Sequence, residues 1–286
     1  MGCSGEMKIS CGIVSFNPDI DLLQSNIEAI NSQVEQIFVV DNGSDNVNAV
    51  ENLADQYCSV QLIKNTENRG IAAALNQCCE ASAKDGCHWI VTLDQDSICT
   101  EHFVDGLSQF IDVEEKVGIV APLVVDRSVG VIGHHPTGYS EVRTCITSGA
   151  LTNLDLWKKL NGFDEQMFID SVDFEYCFRV RKAGYKVIQT DQVQLSHSIG
   201  NATMCRFLFW KFKNTEHGAF RDYYIAQNNV YYPRKHKLWF HFARGNIRNL
   251  KSLLIVCFYE DNKTAKVKAI INGWHKGLTM RPLDES

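Results

Sequence analysis

The stretch Trp89-Ile90-Val91-Thr92-Leu93-Asp94-Gln95-Asp96 decides the fold. It is a short apolar run that passes straight into two carboxylates one residue apart. A continuous apolar run of this length reads as a strand buried on both faces, as in a parallel sheet covered by helices. Moving outward, the same unit recurs. Residues 9–14 form an apolar, β-branched run that ends at Ser15-Phe16-Asn17-Pro18. Leu23, Ile27, Ile30 and Val34 then follow at helical spacing. A second strand at 37–40 stops at Asp41-Asn42-Gly43-Ser44, and Val47, Val50, Leu53 and Ala54 make another helical stripe. A third strand at 60–63 is followed by an Ala-rich helix from Gly70 to Lys84. A helix near 103–110 and a strand at 117–125 come after the quoted stretch. This alternation predicts an α/β fold with a mostly parallel sheet flanked by helices. Ligands bind such sheets at the carboxyl ends of the strands. Ser15, Asn17, Asp41, Asn42, Asn68, Arg69, Asp94 and Asp96 are therefore expected on one rim.

Past Asp126 the pattern loosens. Short β-like pieces are expected at 129–132 and 142–147, a short helix at 154–160, and a helix from Asp170 to Ala183. Two strand-like pieces at 187–190 and 193–195 lead to Ser196-His197. Helical signals dominate from Arg221 to Lys276. The expected organisation is a tail at 1–7, a catalytic domain at 8–200, and a basic, mainly helical region at 201–286.

Charge separates the same two parts. Residues 1–200 carry 13 Lys and Arg against 28 Asp and Glu, while 201–286 carry 15 against 6. An acidic body suits metal and substrate handling, and a basic tail suits an anionic partner or a solvated helical face. The 11 cysteines include no Cys-x-x-Cys pair, so neither a disulfide framework nor a zinc ribbon is expected. Cys11, Cys99, Cys145, Cys177 and Cys257 lie in apolar runs and read as buried small hydrophobes in a reducing, cytoplasmic setting. No apolar run is long enough for a transmembrane helix, and no nucleic-acid partner is expected.

The polar strand ends carry the chemistry. Asp94 and Asp96 can share a hard divalent cation, Mg²⁺ or Mn²⁺, which leaves positions open for phosphate oxygens. The alternative is a plain polar turn. Asp41 can accept the N3–H of a uracil or thymine, while Ser44 is expected to cap the next helix. Asn68-Arg69-Gly70 opens the Ala-rich helix, whose N-terminus attracts anions, and Arg69 can support a base or diphosphate. Asn76 lies on that helix, as a ligand or as an exposed polar residue. His197 can complete the metal site or be a structural histidine. Asp170, Asp173 and Glu175 crowd into six residues. On a helix Asp170 and Asp173 would face one side, and Glu175 is expected to pair with Arg179. Asp173 is the candidate base for an acceptor hydroxyl. No Gly-x-Gly-x-x-Gly or P-loop occurs, which lowers the dehydrogenase and kinase readings. The missing Gly-rich phosphate loop also counts against a nucleotidyltransferase. A non-catalytic sugar-nucleotide-binding or scaffold protein is the other rival.

Taken in order, these strings resemble glycosyltransferase family 2, and most closely its rhamnosyltransferase branch. The carriers are Val14-Ser15-Phe16-Asn17-Pro18, Val39-Val40-Asp41-Asn42-Gly43-Ser44, Asn68-Arg69-Gly70 through Asn76, Leu93-Asp94-Gln95-Asp96-Ser97, and the stretch from Ser148-Gly149 to Gly184-Tyr185. Ser196-His197-Ser198-Ile199-Gly200 and Arg221-Asp222-Tyr223-Tyr224 belong to the same resemblance, which covers about residues 8–235. It implies a GT-A fold with a C-terminal helical extension, a nucleotide-diphosphate sugar donor and a divalent metal. It implies that Asp41 binds the pyrimidine; Ser15, Asn17, Asn42, Arg69, Gly70, Asn76 and Asp94 are expected around the same donor. It also implies Asp96 at the metal with Asp94 nearby, and Asp173 as the base of an inverting reaction; His197 at the metal, and Gly149 and Asp170 near the acceptor, are further expectations. The implied substrates are dTDP-β-L-rhamnose, or alternatively a UDP-sugar, and a lipid-linked saccharide. The implied role is surface-polysaccharide (O-antigen or capsule) synthesis at the inner face of the cytoplasmic membrane; a homo-oligomer is a further expectation. One departure is Val172 where many members carry Glu, so the helper carboxylate is either missing or supplied by Asp170. The apolar patches at 238–242 and 253–259, among Arg244, Arg248, Lys251, Lys263, Lys266 and Lys268, fit a membrane surface or a protein interface.

Overall fold

Seven consecutive buried residues make the strand β1 (Ile9–Ser15), the centre of a parallel set. The computed structural model describes residues 7–126, 130–131, 134–197, 203–207, 210–214 and 218–282. The chain divides into two compact units, Met1–Glu165 with Asp173–Ser198, and Gln166–Val172 with Ile199–Ser286.

In the first unit β1 is followed by α1 (Ile20–Asn31), β2 (Ile37–Asp41), α2 (Val47–Ala54), β3 (Val60–Lys64), α3 (Ile71–Lys84) and β4 (Trp89–Asp94). Then come β5 (Ile98–Cys99), α4 (Phe103–Ser108), β6 (Val117–Asp126), β7 (Gly130–Val131), β8 (Tyr139–Glu141), β9 (Leu151–Asn153) and α5 (Leu154–Lys159). The helix α6 (Val172–Lys182) and the strand β10 (Lys186–His197) complete it. Asp19 caps α1 by accepting from the Asp21 and Leu22 amides, and Leu23, Ile27 and Ile30 bury one face of that helix.

The sheet order is β3-β2-β1-β4-β9-β6-β10-β5, with β7 on β6 and β8 on β10. β3, β2, β1 and β4 run parallel. The sheet is mixed beyond them, because the three-residue β9 enters antiparallel between β4 and β6. Val142–Thr147, expected as a strand, is not one; the strand lies just before it, at β8. The two pieces expected near 190 are a single strand, β10, with an irregularity between Gln189 and Gln194. Ile13, Ile27, Val39, Leu93, Leu151 and Leu195 share one buried cluster. Each such side chain contributes about 1.5–3 kcal/mol by leaving water.

The nine cysteines whose side chains are described are free thiols. Cys11, Cys78, Cys79, Cys87, Cys99 and Cys177 are buried, Cys145 is half-buried, and Cys257, expected inside, is exposed together with Cys58. Burial pushes the Cys78 thiol up to about 12, which makes it inert packing.

The second unit carries β11 (Thr203–Phe207) paired antiparallel with β12 (Trp210–Asn214), then α7 (Ala219–Lys235), α8 (Trp239–Tyr259) and α9 (Lys263–Thr279). Ala226, Val256 and Ile270 bring the three helices together, with Leu253, Val267 and Trp274 around them. Gly245 and Gly273 permit that approach. A Cβ on either would fall about 2 Å from a carbonyl oxygen of α7, at Asn229 and Tyr223 respectively. Lys266, read from sequence as part of a surface patch, is buried and ion-paired with Glu260 at 2.9 Å. Among the described residues, no helix is long and apolar enough to cross a membrane.

Residues 166–172 join this unit through α7. Asn228, 1% exposed, donates from Nδ2 to the carbonyls of Met167, Ile169 and Asp170 at 2.9, 2.8 and 2.8 Å. Phe168, Asp170 and Ser171 all have positive φ, at +41°, +67° and +62°. Side-chain-bearing residues resist that conformation, so the loop is held by its partners. Asn228→Ala is expected to cost about 1–3 kcal/mol, because it removes the donor from buried carbonyls. A lowered urea midpoint with an unchanged slope is the result to look for.

Candidate functional site

The rim is built by register. Ser15 lies beside Asp41, and Val14 beside Asp94, so the ends of β1, β2 and β4 come level. Asp41 is fully buried. Its Oδ2 accepts from the Ser44 amide at 3.0 Å, while its Oδ1 has no hydrogen-bond partner. A buried, unmatched carboxylate oxygen is costly unless something donates to it. Ser44 does not cap α2, whose N-cap position is Asn46. Its hydroxyl instead accepts from the Asn17 amide at 2.8 Å, and Asn17 Oδ1 accepts from the Asp45 amide at 2.8 Å. The loops after β1 and β2 are thus laced together around Asp41. Ser15 is itself buried, with its hydroxyl 3.5 Å from the Val40 carbonyl. Gly43 has φ +83°, and a Cβ there would lie 2.5 Å from the Glu67 carbonyl carbon, so the turn needs glycine.

Asn42 faces the next loop. Its Oδ1 accepts from the Arg69 amide and from Asn65 Nδ2, both at 3.0 Å. Its Nδ2 donates to Asn68 Oδ1 at 3.1 Å and to the Gly70 carbonyl at 3.2 Å. The amide is spent on holding Asn65–Gly70, the loop that presents Arg69 and opens α3. Gly70, at φ +86°, supplies no side-chain cap to that helix. The exposed Arg69 guanidinium approaches Glu165 at 3.8 Å.

Asn76 is buried rather than exposed on α3. Its Oδ1 accepts from the Phe163 amide at 2.7 Å and from Trp157 Nε1 at 3.1 Å. Its Nδ2 donates to the Phe163 carbonyl and to Glu165 Oε1, both at 3.0 Å. It ties α3 to the loop that carries Glu165.

Asp94 and Asp96 flank Gln95 at the end of β4, each half-buried. Gln95, given no role by the sequence, accepts from the Phe16 amide through Oε1 at 2.7 Å. Asn26 donates to the Asp94 carbonyl at 2.8 Å, and the Asp94 amide donates to Ser148 Oγ at 3.1 Å. Ser148 also bonds Ser97 at 2.8 Å, and the Gly149 amide donates to the Thr92 carbonyl at 2.7 Å. Gly149 sits at φ +79°, and a Cβ would come 2.9 Å from both Leu195 and Pro122. Ser148 and Gly149 therefore buttress the aspartate turn. The pairing of Ser196 with Ile98 brings the end of β10, at His197, to the same turn. The His197 side chain lies outside the described residues.

Among the described residues, no three His, Cys, Asp or Glu side chains gather as a metal cage. Two carboxylates beside an open rim nonetheless match how Mg²⁺ and Mn²⁺ are held with substrate phosphates, through few protein ligands. The donor set fits such an ion.

Asp173 lies in the first turn of α6, half-buried, with Oδ1 accepting from the Phe174 amide at 2.9 Å. It is close enough to Cys145 to help raise that thiol well above its ordinary range, after the neighbouring Cys177 and burial. Glu175 and Arg179 form the expected pair, but inside the protein rather than on a solvated face. Asp170 corrects the sequence reading. Its left-handed backbone ends before α6 begins at Val172, so Asp170 and Asp173 do not share a helix face. Within the second unit, Arg221 grips the Asp170 carboxylate at 2.8 and 3.0 Å, and that contact raises the guanidinium further.

The sequence model described as Glycosyl transferase family 2 matches residues 10–179. A dTDP-rhamnosyl transferase, RfbF of Shigella flexneri, is 28% identical over 239 residues, covering 78% of this chain and 79% of RfbF. A crystal structure of GalNAc-T7 with UDP, GalNAc and Mn²⁺ superposes with TM-score 0.57 at 12% identity. That superposition covers 68% of this chain and 44% of that one, and it speaks for the GT-A fold alone.

Proposed function

This chain belongs to glycosyl transferase family 2, and we propose that it moves L-rhamnose from dTDP-β-L-rhamnose, with inversion, onto a lipid-linked saccharide during bacterial surface-polysaccharide assembly. The observation that carries the donor site is Asp41, buried with Oδ1 unmatched at the rim. The N3–H of a thymine or uracil supplies the missing donor. The similarity to RfbF supports thymidine diphosphate and rhamnose over other donors.

Arg69 and the uncapped start of α3 offer positive potential to the diphosphate. Asp94 and Asp96, with His197, would hold Mg²⁺ or Mn²⁺, which when bound neutralises charge on the departing diphosphate. Asp173 takes the proton from the acceptor hydroxyl. The oxygen then attacks the anomeric carbon from the face opposite the diphosphate, and that in-line displacement inverts the centre. Gly149 holds the aspartate turn in place. Asp170, fixed by Arg221, lies on the loop leading to Asp173 and belongs to acceptor binding in this reading.

Thermal melting with dTDP, UDP and GDP, each with and without Mn²⁺, tests the donor site. A nucleotide at about 100 times its Kd stabilises by about 2.7 kcal/mol. The largest shift is expected with dTDP and Mn²⁺, and it should disappear in Asp96→Ala. Preference for UDP would retain the mechanism and discard rhamnose. No shift with any nucleotide would favour a non-catalytic scaffold.

A further inference from the structure

Part of each apolar patch of the C-terminal region reaches one shared surface, while Leu253 and Val256 turn into the helical core. Phe240, Ile247, Leu250, Leu254 and Phe258 lie on α8 at spacings of three, four and seven. At 3.6 residues per turn these positions form one stripe about 30 Å long. They are 76%, 67%, 54%, 53% and 67% exposed, and Trp239 extends the stripe at 65%. The opposite face, at Gly245, Asn249 and Val256, is the one packed against the neighbouring helices. A run of bare aromatic and aliphatic side chains this long marks a contact surface.

Charge identifies what covers it. α8 contains no Asp or Glu in 21 residues. Its charged residues are Arg244, Arg248 and Lys251, all exposed and all along one flank of the stripe. A second copy packed stripe to stripe would bring cations toward cations, with no acid on α8 to answer them. An interface that is apolar within and anionic at its margin answers both features. We infer that α8 is a docking surface for an anionic lipid bilayer. The helix lies in the plane of the membrane, its stripe sunk to the acyl boundary and its Arg and Lys side chains at the headgroups. Such a helix holds the protein where lipid-carried substrates reside, yet the docking rests on neither the donor nor the transfer reaction.

Co-sedimentation of the full chain with vesicles tests it, without donor or acceptor. Phosphatidylcholine vesicles containing phosphatidylglycerol should bind the protein at least about ten-fold more tightly than phosphatidylcholine alone, and 0.5 M NaCl should weaken that binding. Ile247→Glu combined with Leu254→Glu should lower binding by about ten-fold or more. Its melting temperature should stay at the wild-type value, because both side chains already face water. Equal binding to neutral vesicles, no binding to anionic ones, or full binding by the double variant would overturn the proposal. So would light scattering showing a wild-type dimer that this variant converts to monomer, since a second copy would then fill the stripe.

Discussion

Asp173→Asn is expected to leave the protein folded and able to bind donor, while transfer falls by about 10²–10⁴-fold in kcat, the usual contribution of a positioned general base. Asparagine keeps the shape and can still accept from the Phe174 amide, the contact Asp173 Oδ1 makes at 2.9 Å. What it loses is the capacity to take a proton. The helix start is therefore preserved, and the melting temperature should move little. Steady-state kinetics should show the loss in kcat with the donor KM nearly unchanged, since an interaction made only in the transition state is being removed. Near-normal turnover would move the base elsewhere. A large fall in donor affinity instead would mean that Asp173 belongs to the donor site.

Six residues along the same helix, the opposite result is expected. Arg179→Ala should destabilise the protein by about 3–5 kcal/mol, the cost of leaving one partner of a buried ion pair uncompensated. Glu175 is fully buried, and Arg179 meets it with three contacts of 2.8–2.9 Å. The same guanidinium donates to the Leu160 and Gly162 carbonyls at 2.5 and 2.7 Å. Removing it strands a charge and two carbonyls at once. Arg179→Lys should rescue little, because an ammonium cannot span a carboxylate and two separate carbonyls. Denaturant unfolding of the two variants checks this. Replacing the pair together with apolar residues of similar volume should be far milder than the single change, since no stranded charge remains. Equal cost for single and double replacement would show that packing, not charge, dominates there.

These neighbours show where sequence reading stops. A Glu and an Arg four apart predict an ion pair on any helix, and the pair formed. Only the packing of α6 against the turn at Leu160–Gly162 made it a buried one, because the sequence does not say which face of a mixed helix meets the core. Asn42 and Asn76 extend the point. An amide near a strand end or within a helix can bind ligand or brace a loop with the same chemistry. Which it does depends on partners far along the chain, such as Phe163 for Asn76.

By itself the sequence determined the parallel strands β1 to β4 and the level of their polar ends. Runs of buried β-branched residues and helical periodicities are local signals, and the rule that ligands gather at strand ends then places Asp41, Asp94 and Asp96 without any coordinates. Tertiary structure decided what depends on distant contacts. It inserted β9 antiparallel beside β4, because a three-residue strand carries too little pattern to announce its partner. It left Asp170 outside α6, in a positive-φ loop whose carbonyls Asn228 holds and whose carboxylate Arg221 grips. It buried Lys266 against Glu260, and it divided the apolar residues of α8 between the core, at Leu253 and Val256, and the exposed stripe. Periodicity gives each helix a face; only packing decides which face is left to water.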